Sequence, residues 1–294
     1  MKLLVGLAVL LACAPSDPAR ASGAVKLGPN AKLSFEFSDL PETYYSQSTH
    51  EKLPAKLTAQ LPENYTAHRK FPLFVFLEGG VGGRGDSTLA RALAGPRDFI
   101  TVSMPLFREE DGPSSIRVLG IPVNTGGMIT ANDSPVLGRA YKAMLQKLLA
   151  AIPNVTPERS IFGGFSNGAH ATGALLAARD PFIMEHFTAF CLFEGGMALG
   201  MDSSALDNPT LKSCRYILFM GDTDEDPKLR FQRHFIAMPM IHKIQQRAAV
   251  RKIDFTLVIM NGYGDSMPTE YQNVLSHWVR GELAPQIPAG SMND

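Results

Sequence analysis

Residues 159–170 read Arg-Ser-Ile-Phe-Gly-Gly-Phe-Ser-Asn-Gly-Ala-His. In this stretch an apolar run ends in Gly164-Phe-Ser166-Asn-Gly168, and small residues at helical spacing continue to Ala177. The pattern predicts a strand, a sharp turn that carries Ser166, and then a helix. Glycines flank the serine because side chains at those positions would clash in so tight a turn. Backbone N–H groups of the helix would point at negative charge developing beside the serine oxygen.

Strand patterns and helix patterns alternate on both sides of this turn. Apolar runs of strand length are typical of strands buried on both faces. Their alternation with helices predicts an α/β fold, a mostly parallel sheet with helices on both faces. The predicted strands are 53–61, 70–78, 99–106, 161–165, 187–194, 215–221 and 253–260, with a possible edge strand at 35–37. The predicted helices are 86–95, 134–151, 169–177, 228–250 interrupted at Pro239, and an amphipathic one at 271–279.

One domain accounts for most of the chain. The 294 residues are 45% hydrophobic and 19% charged, and we expect a single α/β domain over 22–283 with a loose tail at 284–294. Residues 107–133 have no clear period and several Gly and Pro, so we interpret them as a rim or lid. Basic and acidic residues balance at 28 each without a basic patch, which argues against nucleic acid or anionic membranes as partners.

The N-terminus predicts export by one of two routes. A positive start precedes an apolar run, residues 3–12, that is too short to span a bilayer, and Ala19-Arg-Ala21 offers a cleavage site for a signal peptide of residues 1–21. Alternatively, residues 1–12 form a lipoprotein signal, and Cys13 carries a lipid anchor. Either route gives a secreted, periplasmic or lipid-anchored protein.

The other cysteines, Cys191 and Cys214, fall in apolar strand-like runs. On neighbouring parallel strands their offset is on the order of 10 Å, which is too far for a disulfide. We therefore expect two buried thiols that pack as small hydrophobic side chains.

Four Gly- or Asp-rich segments follow predicted strands, at 78–83, 164–168, 222–226 and 261–266. Sites in such sheets lie beyond the carboxyl ends of the strands. In this order of elements the chain resembles the α/β-hydrolase superfamily over about residues 53–281, most closely the secreted esterase branch with feruloyl-esterase-like and polyhydroxybutyrate-depolymerase-like proteins.

The resemblance implies a role for each of these segments. It makes Ser166 the nucleophile and the backbone N–H of Asn167 one oxyanion donor. The second donor would come from Gly79 or Gly80, which follow the first buried strand. The acid that orients a histidine would be Asp224, with Asp222 and Asp226 as rivals.

The resemblance departs at the general base. Where the family has Gly-x-Gly-His, this chain has Gly262-Tyr-Gly-Asp265. A carboxylate with a pKa near about 4 is a weak base at neutral pH, although a neighbouring Asp224 would raise one of the two pKa values. Because triads are defined by geometry, another histidine could substitute, with His234 as the first candidate and His170 as the second.

Two glutamates at strand ends are candidate substrate contacts. Glu194 ends one predicted strand, where it would contact substrate or serve as a hydrogen-bonded structural carboxylate, and Glu78 precedes the Gly79-Gly80 loop. The Asp222–Asp226 run has no neighbouring His or Cys, and the Gly79–Gly83 loop lacks the ending of a phosphate loop. We therefore predict no metal and no cofactor.

Two functions follow from these residues. The first is an exported serine hydrolase that cleaves small-molecule or polymer-linked carboxylic esters through an acyl-enzyme on Ser166. The second is an impaired, esterase-like pseudoenzyme that binds an ester- or carbohydrate-like ligand. The intact serine turn favours the first, and Asp265 in the histidine position favours the second.

Overall fold

A computed structural model describes residues 27–109, 115–118, 121–124, 127–224 and 226–282, and both N-terminal signal predictions and the predicted tail lie outside these ranges. Its centre is an eight-stranded sheet in the order β1-β2-β4-β3-β7-β8-β9-β10. These strands are β1 (Lys32–Phe37), β2 (Ala55–Gln60), β3 (Phe71–Leu77), β4 (Ile100–Ser103), β7 (Val155–Phe165), β8 (Ala189–Phe193), β9 (Arg215–Gly221) and β10 (Asp254–Met260). A separate antiparallel pair consists of β5 (Ser115–Val118) and β6 (Ile121–Asn124).

The sheet is parallel from β4 to β10 and antiparallel at the β1–β2 edge. Every residue of β3 is buried, as expected for a central strand covered on both faces, whereas β2 alternates between buried and half-buried positions. The predicted mostly parallel sheet is therefore confirmed, and β1 is the edge strand expected around residues 35–37.

Helices cover both faces of the sheet, as predicted. They are α1 (Tyr44–Thr49), α2 (Leu89–Ala94), α3 (Ser134–Ala151), α4 (Asn167–Ala177), α5 (Pro181–His186), α6 (Met197–Met201), α7 (Pro209–Lys212), α8 (Pro227–Gln232), α9 (Met238–Arg251) and α10 (Thr269–Arg280). Apolar side chains of α3, α4 and α9 pack into one core cluster, and those of α2 and α10 pack into a second. Burial of these two apolar faces holds the sheet in place.

Two segments differ from the sequence-based prediction. Part of the region expected to be irregular, residues 107–133, forms the β5–β6 hairpin. The helix predicted over 228–250 is interrupted by a π-helical segment, Arg233–Ala237, and not by Pro239. Pro239 lies in the first turn of α9, directly after this segment.

Cys191 lies in the middle of β8 and Cys214 just before β9, and both are buried free thiols. Cys191 is paired in register with Ile217, three residues beyond Cys214, which agrees with the expected offset. In the part of the chain that is described, no helix combines the length and the apolar character needed to cross a membrane.

Candidate active site

Ser166 sits in a strained turn between β7 and α4. Its φ is +50°, in the left-handed region, and its N–H donates to the Phe193 carbonyl at 2.8 Å. A Cβ atom at Gly164 would lie 2.5 Å from the carbonyl carbon of Gly168, and one at Gly168 would overlap the Leu77 carbonyl oxygen. Both glycines are therefore required for α4 to start directly against β3 and β7.

The side chain of Asn167 ties two loops to this turn. Its Nδ2 donates to the carbonyl oxygens of Gly80 and Gly127, each at 2.7 Å, and its Oδ1 accepts from the N–H of Ile129 at 3.0 Å. Gly79 approaches so closely that a Cβ there would lie 3.0 Å from the Ser166 Cβ. Among the hydrogen bonds between described residues, none uses the backbone N–H of Gly80 or Asn167.

Asp265 occupies the place where the resemblance implies a histidine. The Ser166 hydroxyl donates to Asp265 Oδ2 at 2.9 Å. Burial among protein atoms raises the pKa of Asp265, although the side chain stays accessible from the cavity beside it, and the Asp224 charge adds a smaller effect in the same direction. The expected effect of the neighbouring Asp224 charge on this pKa is therefore present, but desolvation raises the pKa more. The hydrogen bond from Ser166 and the Arg233 cation oppose the increase.

Arg233 is the cation of the site. Its guanidinium is 9% exposed and pairs with Glu194 through Nη1 and Oε2 at 2.5 Å, and with Asp224 through Nη2 and Oδ2 at 3.5 Å. Nη1 also lies 3.3 Å from the carbonyl oxygen of Gly221. One buried cation therefore balances carboxylates that follow β8, β9 and β10. Such charges are tolerated in the interior only when they are paired.

Of the three aspartates weighed as the acid, only Asp224 lines the cavity. It contacts Arg233 instead of orienting a histidine. Asp222 accepts from the Gly262 N–H at 2.7 Å and so holds the turn after β10. Asp226 accepts from the Lys228 N–H at 2.8 Å, at the start of α8. The two rivals are therefore exposed structural residues.

Glu194 is buried at the cavity wall, and its hydrogen bonds and ion pair are with protein groups. Besides its ion pair, it accepts from the Gly221 N–H. Burial raises its pKa to about 7, against the opposing effects of the Arg233 cation and of these hydrogen bonds. Glu78 does not line the cavity in the described structure; its carboxylate lies where a Cβ on Gly83 would sit. The Glu78 carboxylate thus turns toward its own loop, and its contact with substrate stays a prediction.

Neither candidate histidine contacts the Ser166 hydroxyl. His234 is exposed on the π-helical segment, with its ring against Phe235, because the neighbouring Arg233 is the side chain that points inward. The expectation that it substitutes as the base is therefore corrected. His170 lines the cavity, but its Nδ1 accepts from the Met197 N–H at 3.4 Å. Burial lowers the pKa of His170 to about 4, so this imidazole is neutral near pH 7.

A cavity of about 440 Å³ opens beside the Ser166 hydroxyl. Its lining combines polar side chains, methionine and branched aliphatic side chains, and several glycines. No cluster of three or more His, Cys, Asp or Glu side chains suited to a metal occurs among the described residues.

Sequence reasoning missed Arg233, which is one of 28 basic residues. A signal was nevertheless available. Three carboxylates at the ends of neighbouring buried strands require a cation, and the helix after the acidic loop contains the nearest candidates along the chain. The same helix contributes Ile236 and Met240 to the cavity wall, which local sequence patterns do not distinguish from ordinary core residues.

No protein-family model and no curated protein matches the sequence. Several solved structures match the fold. A poly(3-hydroxybutyrate) depolymerase, LpqC from Bordetella parapertussis, superposes with a TM-score of 0.50 at 17% identity, over 87% of this chain and 92% of that one. A feruloyl esterase module from Clostridium thermocellum gives a TM-score of 0.50 at 13% identity, over 90% and 94% of the two chains.

A thermostable esterase also gives a TM-score of 0.50, at 17% identity and over 85% of this chain. The match covers 59% of that esterase, so this chain spans less than two thirds of its length. At these identities the similarity concerns the fold. The sheet order, the serine turn between β7 and α4, and these superpositions together show that the chain has the α/β-hydrolase fold.

Proposed function

We propose that this protein is a serine hydrolase that cleaves carboxylic esters through an acyl-enzyme on Ser166. The observation that carries the proposal is the 2.9 Å hydrogen bond from the Ser166 hydroxyl to Asp265 Oδ2, beside an accessible cavity. A serine hydroxyl becomes nucleophilic when a neighbouring base takes its proton. The fold is also that of a thermostable esterase and a feruloyl esterase module, which supports ester substrates, free or polymer-linked.

In the first half-reaction, Ser166 Oγ attacks the ester carbonyl carbon while its proton passes to Asp265. The N–H groups of Asn167 and Gly80 donate to the oxyanion, which stabilises the tetrahedral intermediate. Collapse expels the alcohol, which takes the proton back from Asp265. In the second half-reaction, water attacks the acyl carbon and gives its proton to Asp265. Release of the carboxylic acid returns that proton to Ser166.

Two opposing effects set the base strength of Asp265. Desolvation raises its pKa, which makes the ionised carboxylate a better proton acceptor than one in water. The Arg233 cation opposes this increase and favours the ionised form that the mechanism needs. Together they support a carboxylate that is ionised in the resting enzyme and basic enough to accept a proton.

A fluorophosphonate probe tests this proposal, because it phosphonylates only an activated serine. Wild-type protein is expected to be labelled, and Ser166→Ala and Asp265→Asn are expected to lose the label. Asp265→Ala with added acetate provides a chemical-rescue control for the carboxylate. Labelling of wild type that survives Ser166→Ala would overturn the assignment of the nucleophile.

One observation favours a second candidate, a pseudoenzyme that binds an ester- or carbohydrate-like ligand. The residue that contacts Ser166 is a carboxylate and not an imidazole, and general-base help is typically worth ~10²–10⁴-fold. In that case wild type is not labelled, and Asp265→His gains labelling because the remaining site is intact.

We propose, finally, that the protein acts outside the cytoplasm, on the basis of the N-terminal pattern in residues 1–21. The intact mass of protein purified from cell fractions distinguishes the two routes. A chain that begins at Ser22 indicates signal-peptide cleavage, and one that begins at a lipidated Cys13 indicates anchoring. A cytoplasmic chain that retains Met1-Lys2 contradicts export.

A further inference from the structure

The cavity beside Ser166 has two chemically distinct walls. The charged groups contact one another, since Ser166 bonds to Asp265 and Arg233 pairs with Glu194 and Asp224. Part of the apolar lining forms a cluster of its own, while Met220, Ile241 and Ile244 line the cavity from the main core of the sheet. Val123, Ile236 and Met240 are buried together, and Met128 and Met197 pack against them. All five also line the cavity, so one wall is a continuous apolar surface. We call this wall the apolar chamber.

The apolar chamber is separate from the hydrophobic core of the sheet, which forms two other clusters. Its residues come from the β5–β6 hairpin, the segment before α3, α6, the π-helical segment and α9. The backbones of α6 and α9 lie close together, because a Cβ on Gly200 would be 2.7 Å from the Met240 Cβ. Because these elements pack closely, the chamber is already present in the structure.

The wall chemistry selects a class of ligand. Among the described residues that line the cavity, no Phe, Tyr or Trp is present, and the His170 imidazole is the single ring on which an aromatic group could stack. Methionine side chains are flexible and polarisable, and they adapt to irregular apolar shapes. A flexible aliphatic chain would bury its surface there without leaving a polar group unpaired.

We propose that the apolar chamber binds the aliphatic hydrocarbon chain of the ester whose carbonyl is presented to Ser166. This assignment rests on the proposed function for its chemical step and adds the substrate class. The chain enters on either the acyl or the alcohol side of the ester, and two ligand series tell these apart.

Calorimetric titration of Ser166→Ala with unbranched methyl esters, from acetate to octanoate, tests the acyl side. Titration with alkyl acetates from methyl to octyl tests the alcohol side. Burial of each CH₂ is worth about 0.8 kcal/mol, so Kd should fall about fourfold per carbon in one series until the chamber is full. Methyl benzoate should bind no more tightly than methyl butyrate. A Kd independent of chain length in both series overturns the proposal.

A matched pair of substitutions in α6 locates the effect. Met197 is half-buried and lines the cavity. Met201, one turn further along α6, is 43% exposed and does not line the cavity. In the Ser166→Ala background, Met197→Phe should weaken binding of the longest ester in the responsive series by about tenfold and leave the acetate unchanged. Met201→Phe should change neither. Equal effects of the two substitutions overturn the assignment.

Failure of the proposed function has a different signature. If wild type hydrolyses no ester while Ser166→Ala still binds longer chains more tightly, the chamber is assigned correctly and the catalytic proposal fails. If wild type hydrolyses acetate esters while binding ignores chain length, the catalytic proposal stands and the chamber assignment fails.

Discussion

Arg233 Nη1 lies 2.5 Å from Glu194 Oε2, and the two side chains are only 9% and 2% exposed. A buried ion pair of this kind contributes little compared with an apolar pair, but breaking it leaves a charge without a partner. Glu194 and Asp224 both pair with Arg233, so substitution of Arg233 alone removes the cationic partner of both carboxylates.

Arg233→Gln is therefore expected to lower the free energy of unfolding by about 3–5 kcal/mol, since it leaves buried carboxylates unpaired. Urea unfolding measures this loss. Arg97→Gln is the control, because Arg97 pairs with Glu63 on the surface, where side-chain exposures are 70% and 36%. That variant should lose no more than about 1 kcal/mol. Equal losses in the two variants would contradict the role given to the buried pair.

The reactivity of Ser166 is expected to depend on the ionisation of Asp265. A protonated Asp265 accepts no proton, so the rate of fluorophosphonate labelling should fall as the pH drops through its pKa. Because that pKa is raised, the midpoint should lie above the ordinary aspartate value of 3.8. Arg233 holds the pKa down, so in Arg233→Gln the midpoint should move to higher pH. If the midpoint is the same in this variant as in wild type, Arg233 does not influence the pKa of Asp265.

Glu194 makes the stability of the protein depend on pH. Its pKa rises from 4.5 to about 7 on folding, so the folded state binds its proton more tightly than the unfolded chain. The contribution of Glu194 to the free energy of unfolding should therefore fall as the pH rises from about 4.5 to about 7, by an amount on the order of 3 kcal/mol. His170, whose pKa falls from 6.5 to about 4 on folding, contributes in the opposite direction over much of this range, so the Glu194 contribution is obtained as the difference between wild type and Glu194→Gln.

Urea unfolding of wild type and Glu194→Gln at pH 5, 6, 7 and 8 measures this difference. The stability of wild type relative to Glu194→Gln should fall with rising pH, whatever the offset between the two, because only wild type retains the titrating carboxyl group. The difference between wild type and Glu36→Gln, at an exposed position on β1, should not change with pH. A difference between wild type and Glu194→Gln that is constant with pH would contradict the raised pKa of Glu194.

The serine turn should not accept a methyl group at Gly164. The added Cβ would lie 2.5 Å from Gly168, so Gly164→Ala must move α4 away from β7. We expect a loss of about 1–3 kcal/mol in unfolding free energy, together with loss of labelling at Ser166. Gly28→Ala is the control, since its Cβ would meet no atom within 4 Å. Retained labelling in Gly164→Ala would show that the turn can relax.

The sheet and most helices could be predicted because each element carries its own periodic signal. The seven residues of β3 are apolar without interruption, and the apolar face of α10 recurs at helical spacing. The β5–β6 hairpin could not be predicted from the sequence, because each strand is four residues long and lies in a region rich in Gly and Pro. A strand of four residues is too short to show a recognisable alternation of apolar and polar residues.

Within the candidate site, Ser166 and Asp265 follow strand ends and could be placed from the sequence alone. A cation from the helix after the acidic loop could be expected, but Arg233 could not be singled out among its basic residues, because the inward direction of its side chain depends on the π-helical segment that begins there. An extra residue per turn changes which side chains face the sheet, so a helix drawn with ordinary spacing misplaces the segment. The same shift explains why His234 points to solvent.

The two partners of the Ser166–Asp265 hydrogen bond are 99 positions apart, and β10, which precedes Asp265, pairs only with β9 within the described sheet. The last parallel strand must therefore dock before the serine gains a proton acceptor. During synthesis, a chain that has emerged only through β9 already contains the residues of the serine turn but lacks Asp265. Under the proposed function, the reactivity of Ser166 therefore arises only after β10 has docked, which makes it a late event in folding.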